Sequence, residues 1–142
     1  MILDSCGGFL ADCISHGNGA AAHEPLRALT LEKTLKRLAA FEAAADLPAG
    51  AAWKYEGRNL PSLRAIARLA AEAIDFSGTG HLGVMHGDLC FTNVLFDFRT
   101  RQIRVIDPRG TLDGATPTLF GDVRYDMARL NHSIAGAFAH QV

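Results

Sequence analysis

A chain of 142 residues is long enough for one domain with a single core, and a domain of that size buries roughly 68–70% of the surface its unfolded form exposes. With 49% hydrophobic and 20% charged residues the composition is that of a globular protein and excludes a largely disordered chain. The net charge of −1 and pI near 6.6 leave no basic surplus, so neither nucleic acid nor an anionic membrane surface is favoured as a partner.

Apolar runs are short and interrupted by Arg, Glu or Asp, well below the ~20 residues of a membrane span. Asp4 and the lack of an early Lys or Arg deny the N-terminus the basic start of a secretory signal. Cys6, Cys13 and Cys90 are odd in number and show no CxxC spacing, which predicts reduced thiols and a cytoplasmic location rather than disulfides or zinc.

Residues 1–25 mix glycines with Ala, Ser and His without a sustained period, so residues 1–29 are expected to be a poorly defined lead segment. Neither GxGxxG nor GxxxxGK[ST] occurs there. From Thr30 the spacing of Leu31, Leu35, Leu38, Phe41 and Ala45 predicts an amphipathic helix ending near Pro48, with Thr30 as N-cap and Glu32 and Lys36 paired. A Gly- and Ala-rich loop comes next, in which Trp53 and Tyr55 are expected to cap a core. Pro61 and Ser62 open a second helix with Leu63, Ile66, Ala70, Ala73 and Ile74 on its apolar face and Arg64, Arg68 and Glu72 on its wet face.

Val84 and Met85 read as the end of a short buried strand leading into His86-Gly87-Asp88. Residues 93–96 and 103–106 then predict a β-hairpin of two apolar strands joined by a charged turn. Antiparallel pairing brings the start of one strand beside the end of the other, so Asn93 and Asp107 emerge together despite lying fourteen positions apart. Asp88 lies in the loop just before. Pro108 is expected to push Asp107 into an extended conformation, and Gly110 to allow a sharp turn. A last helix is predicted with Met127, Leu130, Ile134 and Phe138 on one face and Asp122 at its start.

Magnesium prefers oxygen ligands and keeps several waters, so one or two side-chain oxygens plus substrate phosphates suffice to hold it. Asn93 and Asp107 suit that role. A hydroxyl that attacks a phosphate needs a carboxylate to orient it and take its proton, and Asp88 suits that one. Arg109 reads equally as a phosphate contact or a solvated side chain, Cys90 as a small filler, and His132 as structural or surface.

His86-Gly87-Asp88, four residues, Asn93, a hairpin and then Ile106-Asp107 resembles the catalytic loop and metal-binding Asp of the aminoglycoside and choline phosphotransferase superfamily, relatives of protein kinases. The segment 121–128, GDVRYDMA, resembles that superfamily's segment just after the metal site. The nearest likeness, through VMHGDLCFTNVLFD, IRVIDPRG and GDVRYDMARLNHS, is to bacterial phosphotransferases associated with capsule or surface-polysaccharide biosynthesis. The resemblance is specific over residues 84–133 and extends plausibly back to Thr30. It implies an α+β, mainly helical fold, the protein-kinase-like C-terminal lobe, spanning residues 30–142, with a catalytic-loop β-hairpin and the N-terminal nucleotide lobe missing.

The same resemblance implies Asp88 as catalytic base, Asn93 and Asp107 as metal ligands, His86 as support of the loop, and Asp126 as a buried brace for the loop backbone. It implies ATP as phosphoryl donor, Mg2+ as cofactor and a small-molecule hydroxyl as acceptor, with a Gly-rich loop and a strand Lys expected from a nucleotide lobe outside this chain. Pro108-Arg109-Gly110 comes after the metal Asp where protein kinases have Phe-Gly, so an activation-loop switch of that type is not expected. Two other functions compete: a catalytically inactive remnant or binding module of the same fold, and a metal-dependent phosphohydrolase using His86, Asp88, Asn93, Asp107 and His132.

Overall fold

The computed structural model describes residues 1–17, 26–46, 50–78, 80–110 and 117–136. They fall into two compact units, one formed by Met1–Glu24 and Gly78–Val142 and the other by Pro25–Ser77. The expected helix end at Pro48 and the apolar position Phe138 lie outside the described residues.

The first unit begins with a helix where the sequence shows no period: α1, Ile2–Ser15. Its inward stripe is Cys6, Leu10 and Cys13 at i, i+4 and i+7, all buried. Two of these are cysteines, and Gly7 and Gly8 on the outward side meet nothing within 4 Å, so the stripe lacks the aliphatic signature that announces a helix.

The second unit, inserted between α1 and the rest of the first, is a helical pair with a small hairpin. Its first helix runs from residue 26 through a π-helical stretch, Ala28–Glu32, into α2, Lys33–Ala44. Thr30 therefore lies inside the helix, its hydroxyl donating to the Leu26 carbonyl at 2.7 Å, and is not the N-cap. Leu31, Leu35, Leu38 and position 42 share one stripe at 3.6 residues per turn, which leaves Phe41 at 50% exposure and turns Glu42 inward. Hairpin strands β1, Trp53–Tyr55, and β2, Arg58–Leu60, pair across Glu56 and Gly57, both at positive φ as a type I′ turn requires. Trp53 and Tyr55, expected to cap a core, are exposed. Helix α3, Leu63–Glu72, is capped by Ser62, whose Oγ accepts from Ala65 N at 3.2 Å. Its packed side carries Ala71 and Arg64, not Ile66, because the Arg64 guanidinium bonds the inward Glu42 carboxylate through Nε at 2.8 Å and Nη2 at 2.5 Å.

The chain re-enters the first unit through β3, Leu82–Val84, which pairs antiparallel with a late strand, Phe120–Asp122, in the register Gly83 opposite Gly121. The end of α1 sits directly on β3. A Cβ on Gly83 would lie 2.5 Å from the Cys13 carbonyl oxygen, and one on Gly17 would lie 2.3 Å from that of Leu82, so both glycines are there for backbone contact.

After the His86 loop and a single 3-10 turn at Phe91–Asn93 come β4, Val94–Asp97, and β5, Gln102–Val105, an antiparallel hairpin with Val94 opposite Val105. The late strand Phe120–Asp122 is β6, and it leads into α4, Arg124–Ala135. The core joins Cys6, Leu10 and Cys13 of α1 to Val123 and Leu130 around α4, Val94 of β4, and Leu89 of the loop, whose side chain is fully enclosed. The inward face of α4 is Asp126, Leu130 and Ser133, whereas Met127 and Ile134, expected to pack, are each about half exposed. Polar residues displace apolar ones on this face because it fastens the His86 loop: Asp126 accepts from His86 N and Ser133 from Phe91 N.

Candidate functional site

The site is built around one buried carboxylate. Asp126, in the first turn of α4, is 1% exposed and accepts two backbone bonds, from His86 N at 2.7 Å on Oδ2 and from Gly87 N at 2.9 Å on Oδ1. Burial raises its pKa, an effect that the bonds from the His86 and Gly87 N–H groups oppose without cancelling. Gly87 stands at φ +80, and a Cβ there would meet the Arg109 Cβ at 3.1 Å, so only glycine fits the turn.

His86 ties the loop to the hairpin. Its Nε2 lies 2.9 Å from the Ile106 carbonyl oxygen and must donate, which leaves Nδ1 to accept from Asp88 N at 3.3 Å. Its carbonyl accepts from Arg109 N at 2.9 Å. Both ring nitrogens are thus engaged in holding backbone.

Asp88 projects from this frame with its side chain about a quarter exposed. Arg129, one turn beyond Asp126 on α4, donates from Nη2 to Oδ1, and Arg109 Nη2 stands 3.6 Å from Oδ2. Burial acts to lower the Arg129 pKa, and the hydrogen-bonded Asp88 carboxylate more than offsets it, so the guanidinium stays charged. Arg129 Nε is enclosed and has no hydrogen-bond partner among the described residues, an omission that costs about 1–3 kcal/mol in a typical interior.

Asn93 closes the 3-10 turn. Its Nδ2 donates to the Asp88 carbonyl at 2.9 Å, which fixes the amide orientation and leaves Oδ1 as the free acceptor. Ile106 N donates to the Asn93 carbonyl at 3.0 Å, so Asp107, two residues past the end of β5, follows directly on a residue bonded to Asn93. Asp107 differs from expectation in its backbone: its φ is +59, in the left-handed region, not extended. The bonds from Ile106 on one side and Arg109 on the other hold the chain on its neighbours there, and Asp tolerates that region better than most residues. Its exposed carboxylate has no hydrogen bond or ion pair among the described residues. Among the described residues there is no group of three or more His, Cys, Asp or Glu able to hold a metal. The donors at hand, the Asn93 amide oxygen and the Asp107 carboxylate, are hard oxygens that suit magnesium completed by phosphate and water.

Beside the loop an apolar cavity of about 470 Å³ is walled by Ile2, Leu3, Phe91 and Ile134, with Cys90 and Thr92 at its polar edge. All of these lie in the first unit. Cys90 and Thr92 contact each other at 3.1 Å, and the thiols of Cys6 and Cys13 are raised in pKa by burial.

The structure thus brings Asp88, Asn93, His86 and Asp126 into one bonded network and sets Asp107 at its edge. Sequence reasoning missed Arg129. The signal was present: it stands at i+3 from Asp126 and i−4 from Ser133, a cation on a helix face already marked by a buried acid.

A loop of this construction, an acid on a turn braced from a later helix with carboxamide and carboxylate oxygens alongside, resembles that of a kinase-like phosphotransferase. In agreement, the model of the phosphotransferase enzyme family matches residues 1–135, and the chain belongs to that family. The matched range takes in α1. The α+β architecture of helices and small antiparallel sheets is consistent with a piece of that family's kinase-like fold. No curated protein and no solved structure matches the chain. No helix among the described residues is long and apolar enough to cross a membrane.

Proposed function

We propose that this chain carries the catalytic and metal-binding part of an ATP- and magnesium-dependent phosphotransferase acting on a hydroxyl of a small molecule. The observation that carries the reading is the Asp126 carboxylate gripping the His86 and Gly87 N–H groups, which holds the turn that presents Asp88. Asp88 would accept the hydrogen bond of the attacking hydroxyl and take its proton as the bond to phosphorus forms, a contribution typically worth about 10²–10⁴ in rate. Asn93 and Asp107 would hold the magnesium, which supplies charge neutralisation and alignment of the phosphates when bound. The apolar cavity beside Cys90 and Phe91 would seat the part of the acceptor that does not react.

A sugar or surface-polysaccharide precursor is the acceptor suggested by the resemblance of residues 84–133 to capsule-associated enzymes. ATP itself would be gripped jointly with a nucleotide lobe outside this chain, so the chain alone should show weak magnesium binding and little nucleotide affinity by calorimetry. Micromolar ATP binding to these 142 residues would contradict that part.

A second reading, a module that keeps the fold without turnover, draws on one observation: both Asp88 oxygens face guanidinium groups. Magnesium-dependent ATP turnover by the full-length protein, with Asp88→Asn as control, decides between the two. Turnover lost in the variant supports the enzyme, and turnover absent from the wild type supports the module.

A further inference from the structure

Two arginines reach the Asp88 carboxylate from different elements, and they hold it differently. Arg129 Nη2, from α4, makes a hydrogen bond to Oδ1, whereas Arg109 Nη2, from the turn after β5, remains at 3.6 Å from Oδ2, an ion-pair separation without a hydrogen bond. The stretch of α4 that carries Arg129 is itself fastened to the loop. Ser133 Oγ donates to the Arg129 carbonyl at 3.2 Å and accepts from Phe91 N at 3.3 Å, so α4 grips the chain on both sides of Asp88, through Asp126 before it and Ser133 after it. Arg129 Nε is enclosed without a partner among the described residues. A surface arginine forming an incidental ion pair keeps Nε in water, whereas here Nε is enclosed although the side chain as a whole is 35% exposed.

A carboxylate rotates easily about its last torsion, and one charge-assisted hydrogen bond from a rigid planar donor is enough to fix that rotation. We propose that Arg129 is a positioning residue for Asp88, turning Oδ1 toward α4 and leaving Oδ2 as the oxygen that receives the acceptor hydroxyl. Arg109, held only at ion-pair distance, is the cation that yields Oδ2 when the hydroxyl arrives. The inference rests on the phosphotransferase reading and adds to it a residue on a separate element, with a separable test.

The test is magnesium-dependent ATP turnover by the full-length protein, with water as the acceptor, in wild type, Asp88→Asn, Arg129→Gln, Arg129→Lys and the double variant Asp88→Asn/Arg129→Gln, each checked for folding by its thermal midpoint. Positioning predicts that Arg129→Gln lowers kcat by about 10²-fold, the scale of a misplaced catalytic group, with KM for ATP unchanged. Arg129→Lys, which keeps the charge but not the planar fork, recovers part of the loss. In the Asp88→Asn background Arg129→Gln has no further effect. Equal losses in the Gln and Lys variants, a change confined to KM, or losses that multiply in the double variant would overturn the inference while Asp88→Asn still marks the enzyme. Turnover that survives Asp88→Asn, or is absent from the wild type, overturns the phosphotransferase reading and the inference with it. Should Arg129→Gln fail to fold, the Lys variant alone decides: wild-type kcat in it contradicts a role for the fork.

Discussion

Two carboxylate–arginine arrangements, one in each unit, differ in a way that separates scaffold from site. In the second unit Glu42 and Arg64 close on each other: one guanidinium gives two bonds to one inward carboxylate, whose side chain is 10% exposed. In the first unit a single carboxylate, Asp88, stands before two guanidiniums, with one bond made, one ion pair left loose and one arginine N–H unpartnered among the described residues. A pair that satisfies itself contributes to stability and nothing else. A cluster with surplus positive charge and an unfinished bond has capacity left for a ligand, and it lies where the braced loop and the hairpin end meet.

The comparison breaks most plainly under paired substitutions. Asp88→Asn is expected to cut turnover by about 10²–10⁴-fold while shifting stability by less than about 1 kcal/mol. Arg64→Ala is expected to do the reverse, costing about 1–3 kcal/mol by stranding Glu42 with turnover of the folded protein unchanged. Urea titration and ATP turnover on the same preparations check both. Asp126→Ala removes the acceptor of two buried N–H groups and should cost about 2–4 kcal/mol, with Asp88 displaced and turnover lost alongside, joining the two categories because the brace serves both.

A smaller effect lies in pH. The folded-state pKa of Asp126 is raised by burial above its ordinary 3.8. The neutral carboxyl is therefore favoured in the fold, and the stability it contributes is fully present below that value and lost as pH rises through the raised pKa. The stability of the wild type relative to Asp126→Asn should accordingly fall as pH is raised upward from 3.8, as denaturant titrations at a series of pH values will show. A relative stability that climbs over that range would mean the two N–H bonds outweigh burial. The smallest effect is chemical: Cys90, partly exposed at the cavity, should be alkylated before Cys6 and Cys13, whose thiols are enclosed and raised in pKa by burial. Mass spectrometry of partially labelled protein reads the order.

The hairpin of β4 and β5 was legible because two short runs of apolar and β-branched residues flank a charged turn. The start of α3 was legible from Ser62, a cap whose chemistry is local. Helix faces were harder, since apolar spacing alone placed Phe41, Ile66, Met127 and Ile134 inward while Glu42, Arg64, Asp126 and Ser133 took those places. Polar residues can occupy a buried stripe only when a distant partner satisfies them, and the partner of Glu42 is twenty-two residues away and that of Asp126 forty. Helix α1 was hidden for a different reason: its buried stripe is small and sulfur-bearing, and the close packing of its end on β3, which Gly17 and Gly83 permit, is announced by no local pattern. At the site the acids and the amide could be picked out by type and spacing. The left-handed turn at Asp107 and the reach of Arg129 could not, because tertiary bonds impose both.

The proposed joint use of Asn93 and Asp107 as a metal seat is open to direct measurement. Manganese titrated in place of magnesium relaxes nearby nuclei, so the amide resonances of residues next to the ion broaden first. Broadening that begins at Asn93 and Asp107, is abolished by Asp107→Asn and leaves Glu42 and Arg64 sharp is the expected result. Broadening that begins elsewhere, or is indifferent to Asp107, would show that these two oxygens do not share an ion.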